Sequence, residues 1–175
     1  MKKKMIMPVV VLVVICFVVG FGLAYVNSIT APIIAKAAAE TEEEAKKAVL
    51  PDGDGFTEVD DTSDLPEEVE SAFTSDNDAG MVFKLVGAGY GGDVEIMVGI
   101  SNDGTIAGTQ VLDHSETVGL GARIAEEDFR SQFVGEDSSL ADVSVISGST
   151  ISSKCFIDLV NAAFEAYATL GGEGV

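Results

Sequence analysis

Residues 5–26 contain no charged side chain and are dominated by Val, Ile, Leu and Phe. At about 1.5 Å per residue such a stretch, wound as a helix, covers the roughly 30 Å of a bilayer's hydrocarbon. A core helix of a soluble protein needs a shorter apolar run and has no use for the three lysines, Lys2, Lys3 and Lys4, that precede this one. The stretch is also long for the apolar part of a cleaved signal peptide, and no small-x-small cleavage pattern follows it. The expectation is an uncleaved single span, residues 1–26 with the lysine cluster, in the cell membrane. Cytoplasmic retention of positive charge puts Lys2–Lys4 inside and everything after Tyr25 outside.

The exported remainder is strongly acidic. Three of the ten basic residues precede the span, whereas all 29 acidic residues follow it, so the exported part carries seven basic residues and a net charge of −22. That charge repels phosphate backbones and anionic lipid, which excludes nucleic acid as a partner class. It also keeps the domain soluble. Cys16 falls in the span and Cys155 in the last expected helix, so they form no disulfide framework. One His and two separated Cys offer no zinc-ligand spacing, and no nucleophile–base pair points to a hydrolase.

Residues 27–51 read as a connecting segment: Pro32 suits a first helical turn, an Ala/Glu/Lys run follows to Leu50, and Pro51 with Gly53 and Gly55 ends it. Residues 52–175 form the exported domain. Its first part, 52–80, is acidic and poor in large apolar groups, and reads as solvated loop with local structure around Phe56 and Val59. Met81–Val86 and Val94–Ile100 have the partial alternation of half-buried strands, and Asn102-Asp103-Gly104 turns the chain into a third strand, Thr105–Leu112. A short helix over Ala125–Phe133, a short strand over Val143–Ile146 and a final helix over Ile151–Leu170 complete the pattern. In the final helix Phe156, Leu159, Val160, Ala163, Phe164 and Tyr167 recur at helical spacing and form a packing face. The fold class is therefore α+β, a mostly antiparallel twisted sheet packed by helices behind a single N-terminal transmembrane helix.

Two loops carry polar residues in patterns suited to a ligand. His114-Ser115-Glu116-Thr117-Val118-Gly119-Leu120-Gly121 follows the third strand and holds the chain's single His. The run Ser147-Gly148-Ser149-Thr150-Ile151-Ser152-Ser153 leads into the final helix, where free N–H groups and the helix dipole can receive a phosphate. The same run also reads as an ordinary N-cap, because Ser and Thr lead the preferences there.

Taken in this order behind one span, these motifs and the Gly89-Tyr90-Gly91-Gly92 turn resemble the FMN-binding domain family found in the G subunit of Rnf complexes and in the C subunit of sodium-pumping NADH:quinone oxidoreductase. The Tyr-Gly-Gly segment with Val94–Ile100 looks closer to the Rnf protein. The resemblance implies FMN joined through its phosphate to the Thr of a Ser/Thr-Gly-Ala-Thr motif, here Thr150, by a separate flavin transferase that uses FAD. It further implies that Ser147, Gly148, Ser149, Ile151, Ser152 and Ser153 surround the phosphate, with Lys154 adding charge compensation if turned inward. Glu116, Thr117, Leu120 and Gly121 would bound the flavin ring, with His114 and Tyr90 beside it. Other membrane subunits of an Rnf-type complex, coupling reduced ferredoxin and NAD to ion translocation, become the partners. On this reading the chain relays electrons and is no independent enzyme. Three positions depart from the family: Ser149 replaces Ala, Ser144 replaces an Asp that often begins the motif, and Val118 replaces a common Pro. Two other readings stay open at this point, a stand-alone extracellular FMN carrier and an anchored, non-redox ectodomain that binds a small anion.

Overall fold

The computed structural model describes residues 2–171; Met1 and residues 172–175, at the two ends of the expected segments, lie outside the described residues. The side chains of residues 2–7, Lys2, Lys3 and Lys4 among them, and of Ala35 also lie outside. The chain divides into two compact units, residues 1–41 and 42–175. The first consists of helix, part of α1 (Lys2–Val49), which contains a stretch long and apolar enough to cross a membrane. Its apolar side chains, such as Phe17, Val18, Phe21 and Leu23, are exposed. Pro32 does not start a new helix but lies inside α1. It removes one intrahelical N–H, and the alanines around it, among the best helix formers, carry the helix through.

The second unit is built on one five-stranded antiparallel sheet in the order β1 (Phe56–Glu58), β2 (Val69–Ser75), β3 (Gly80–Ala88), β4 (Asp93–Ser101), β5 (Ile106–His114). Every neighbouring pair is sequential, so short turns connect them. The β3–β4 turn is residues 89–92, closed by the Gly89 N–H donating to the Gly92 carbonyl at 2.9 Å. At the β4–β5 turn, Asp103 accepts from the Thr105 N–H (3.1 Å) and hydroxyl (2.7 Å), as the Asn-Asp-Gly signal requires.

Three sequence expectations change here. Residues 52–80 are not mainly loop: they contain β1 and β2, and β2 turns Val69, Ala72, Phe73 and Ser75 inward while Glu70 stays exposed. Residues 143–146 form no strand. Their polar groups are held by side chains instead of a ladder: Ser144 donates its N–H (3.1 Å) and hydroxyl (2.8 Å) to Gln132 Oε1, and the Ile146 N–H donates to Ser153 Oγ at 3.1 Å. The expected helix near 125–133 is a series of short turns, a 3-10 turn Gly121–Ala125, α2 (Glu127–Arg130) and a 3-10 turn Ser131–Phe133.

Both sheet faces are covered, which is why Ile96–Ile100 is buried without alternation. On one face lies α3 (Thr150–Thr169), whose Phe156, Leu159, Val160, Ala163, Phe164 and Tyr167 pack against Phe83, Leu85, Ile96, Val98 and Ile100. Phe156 is wedged beside Phe129 and Phe133, with ring centroids 5.4 and 4.9 Å away. On the other face the last turns of α1 set Ala45, Val49 and Leu50 against Phe73, Val82 and Met97. Lys46 lies there too, paired with Glu42 and Glu43 and with its ammonium 3.6 Å from the Phe73 ring centroid.

The seat for α1 is a pair of glycines opposite each other, Gly99 on β4 and Gly108 on β5. A Cβ on Gly99 would stand 2.2 Å from the Val49 carbonyl oxygen, so backbone meets backbone. Gly99→Ala is expected to force this helix end outward and destabilise the domain by about 1–3 kcal/mol, the usual effect of overpacking. Thermal unfolding of the detergent-solubilised protein checks this; an unchanged midpoint would mean that α1 does not seat on the sheet.

Candidate functional site

The β3–β4 turn, the segment after β5 and the start of α3 meet around one pocket of about 390 Å³. Its wall is built from Tyr90, Glu116, Thr117, Leu120, Gly121, Gly148, Ser149, Thr150, Ile151 and Ser152. Ten of the thirteen residues singled out from the sequence thus share one cavity, and the other three, Ser153, His114 and Ser147, lie off its wall. Ser153 is fully buried; its hydroxyl donates to the Ser149 carbonyl at 2.9 Å while accepting from Ile146, tying the preceding turn to the helix. His114 Nδ1 accepts the Glu116 N–H at 3.3 Å, so the ring braces the loop. Ser147 is exposed, as is Lys154, which also stands away from the pocket wall.

Glu116 organises the floor. Its side chain belongs to a residue only 7% exposed, and the carboxylate accepts the Tyr90 N–H at 2.7 Å on Oε1 and the Gly91 N–H at 3.3 Å on Oε2. Glycines make that approach possible. A Cβ on Gly89 would come within 2.2 Å of Oε1, and one on Gly121 within 2.2 Å of Oε2 and 2.7 Å of Ser152 Oγ. The carboxylate therefore joins segments that are far apart along the chain, and no local sequence pattern could announce it. Glu116→Gln leaves an amide NH₂ facing one of two N–H donors. The expected cost is about 1–3 kcal/mol of stability, the effect of an unsatisfied buried partner, read as a lower thermal midpoint together with weaker ligand binding in the pocket; if both stay unchanged, this organising role is wrong.

The start of α3 is equally specific. Gly148 takes a left-handed φ of 85°, turning the chain into Ser149, the N-cap residue. Ser149 makes no side-chain cap bond, and its hydroxyl is buried without a hydrogen-bond partner. The backbone N–H groups of the first turn, Thr150 to Ser152, have no intrahelical acceptors by helix geometry. Orphaned donors and an orphaned hydroxyl at a helix N-terminus match a bound phosphate, and the dipole adds up to ~2 kcal/mol. The pocket volume lies in the roughly 300–1,000 Å³ range of cofactor sites. Thr150 itself is exposed and lines the pocket. The nearby thiol of Cys155 is no rival nucleophile: burial, aided by the charges of Asp158, Glu116 and Asp93, pushes it up to about 11 and keeps it protonated.

Residues 89–165 match the FMN-binding domain family, a span that takes in all three segments of the pocket. Over 178 aligned residues the chain is 34% identical to the G subunit of the ion-translocating oxidoreductase complex of Methanosarcina acetivorans, covering 94% of this chain and 95% of the relative. The chain belongs to the family of these G subunits. A second member, from the proton-translocating ferredoxin:NAD(+) oxidoreductase complex of Clostridium ljungdahlii, is 28% identical over 92% of this chain and 90% of its own. Among solved structures, NqrC of Shewanella oneidensis superposes with a TM-score of 0.50 over 71% of this chain and 70% of its own, at 18% identity; it shares the fold.

Proposed function

We propose that this chain is a membrane-anchored flavoprotein electron carrier, the G subunit of an ion-translocating ferredoxin:NAD oxidoreductase complex, with FMN esterified to Thr150. The observation that carries the reading is Thr150 on the pocket wall at an uncapped helix N-terminus, beside the buried, partnerless Ser149 hydroxyl. Residues 1–26 anchor the chain with the N-terminus cytoplasmic, residues 27–51 connect, and residues 52–175 hold the flavin outside.

Attachment is a group transfer. A separate flavin transferase would make the ester: the Thr150 oxygen would bond to the flavin-side phosphorus of FAD as the pyrophosphate bond breaks, with AMP leaving and the hydroxyl proton passing to solvent. The N–H groups of Ile151 and Ser152, at the start of α3, would hold the phosphate charge together with the helix dipole in a domain that is otherwise strongly acidic. Leu120 and Ile151 give an apolar wall, and Glu116 fixes the turn that carries Tyr90 on the same pocket. When bound there, the flavin ring supplies the redox chemistry of an electron relay. A tether suits a carrier working outside the cytoplasm, where lost FMN is not replaced.

Protein produced together with its transferase, then denatured and washed free of small molecules, should fluoresce as flavin. A colourless product that also fails to bind FMN reversibly defeats the proposal and favours a non-redox anion-binding ectodomain.

A further inference from the structure

The uncharged part of α1 does not stop at residue 26. Residues 5–35 contain no charged side chain, and Lys36 is the first charge after them. All of them are helical, in one unbroken element. At about 1.5 Å per residue this run is roughly 46 Å long. Residues 5–26 alone match the roughly 30 Å of hydrocarbon. At the ~20° tilt usual for membrane helices the whole run projects to about 44 Å, the thickness of a bilayer with both headgroup layers.

Residues 27–35 have the side chains for such a layer. Val26, Ile29 and Ile33 follow one another at helical spacing, with Ile34 beside them, and all four are exposed. They continue the lipid face of the span. The hydroxyls in this segment need no water: Ser28 donates to the Tyr25 carbonyl at 2.8 Å, and Thr30 donates to the Val26 carbonyl at 3.0 Å. Charge points to the same occupant. The first charge past the run is a cation, Lys36, and the first acid, Glu40, stands one turn further on, in a chain with 29 acidic and ten basic residues. That order sets an ammonium at the level of lipid phosphates and keeps the carboxylates beyond them. The Lys36–Glu40 pair, at 3.7 Å, is exposed on both sides and holds the ammonium only weakly.

We propose that residues 27–35 lie in the headgroup layer of the bilayer, with Ile29, Ile33 and Ile34 against lipid and Lys36 at the membrane surface. This rests on the membrane-anchor reading above, and the test separates the two. The full chain is placed in vesicles of phosphatidylethanolamine and phosphatidylglycerol, with Cys155→Ala throughout and a charged maleimide on both sides of the membrane. Single cysteines are introduced as Ile29→Cys, Ile33→Cys or Ala39→Cys in a Cys16→Ala background, and the natural Cys16 kept alone reports on the span. Cys16 should stay unlabelled, and the cysteines at 29 and 33 should react at least tenfold more slowly than the one at 39. Labelling at 33 as fast as at 39 with Cys16 still protected overturns the proposal and leaves the span standing; fast labelling of Cys16 overturns both. A photo-crosslinking amino acid at position 33 of the chain in native membranes adds a second readout. Adducts with lipid support the assignment, and adducts only with another protein subunit contradict it.

Discussion

Thr150→Ala should leave the protein with no flavin that survives denaturation. The effect is close to all-or-none because the other hydroxyls of the 147–153 run cannot substitute. Ser149, Ser152 and Ser153 are buried, Ser153 is committed to the turn before α3, and Ser147 is exposed but off the pocket wall. Thr150 combines exposure with a place on the wall. The helix itself should be little affected, because Ala is a good helix former and Thr150 is not the N-cap residue. The first-turn N–H groups also remain, so the variant should still bind FMN reversibly. Thr150→Ser keeps a hydroxyl on the same Cβ and should retain part of the covalent flavin. Fluorescence of the denatured, washed variants, compared with FMN titration of the native ones, separates loss of the ester from loss of the pocket. Undiminished covalent flavin in the alanine variant would move the ester elsewhere.

Phe156→Ala should destabilise the domain by about 3–5 kcal/mol, the usual range for removing a buried aromatic ring. The ring is fully buried, lies in the second turn of α3 and touches both Phe129 and Phe133. Those partners belong to the short turns after the 116–121 loop, so the cavity opens under an element that carries part of the pocket wall. A fall of the thermal midpoint on the order of 10 °C is expected for a domain of this size, with flavin affinity falling at temperatures well below the midpoint. Phe156→Leu, which fills most of the volume, should recover much of both. A change of less than about 1 kcal/mol in the alanine variant, well under the range for such a ring, would mean that this aromatic cluster does not hold α3 to the sheet.

The parts of this fold that could be read from sequence are those with strong local periodicity. The apolar face of α3 repeats every three or four residues, and the β3–β4–β5 hairpins carry apolar runs separated by glycine turns. β2 escaped because Val69, Ala72 and Phe73 sit between Glu70, Ser71 and Thr74 in an acidic stretch, and its inward residues gain meaning only against β3. Val143–Ile146 misled in the opposite direction: its β-branched residues suit a strand, but no neighbouring strand offers a ladder and Gln132 and Ser153 take its polar groups. The segments that line the pocket were legible as two loops and a turn. That Glu116 holds the Tyr90 turn and needs bare backbone at Gly89 and Gly121 is a contact across distant segments, which only the folded chain brings together.

Peptide mass mapping of protein made with its flavin transferase tests most directly whether the hydroxyl of Thr150 carries the flavin. The peptide holding Thr150 is expected to gain the mass of FMN less one water, with fragment ions placing the addition on Thr150. A flavin-bearing protein whose addition maps to Ser147, Ser149, Ser152 or Ser153, or whose Thr150 peptide is unmodified, would contradict it.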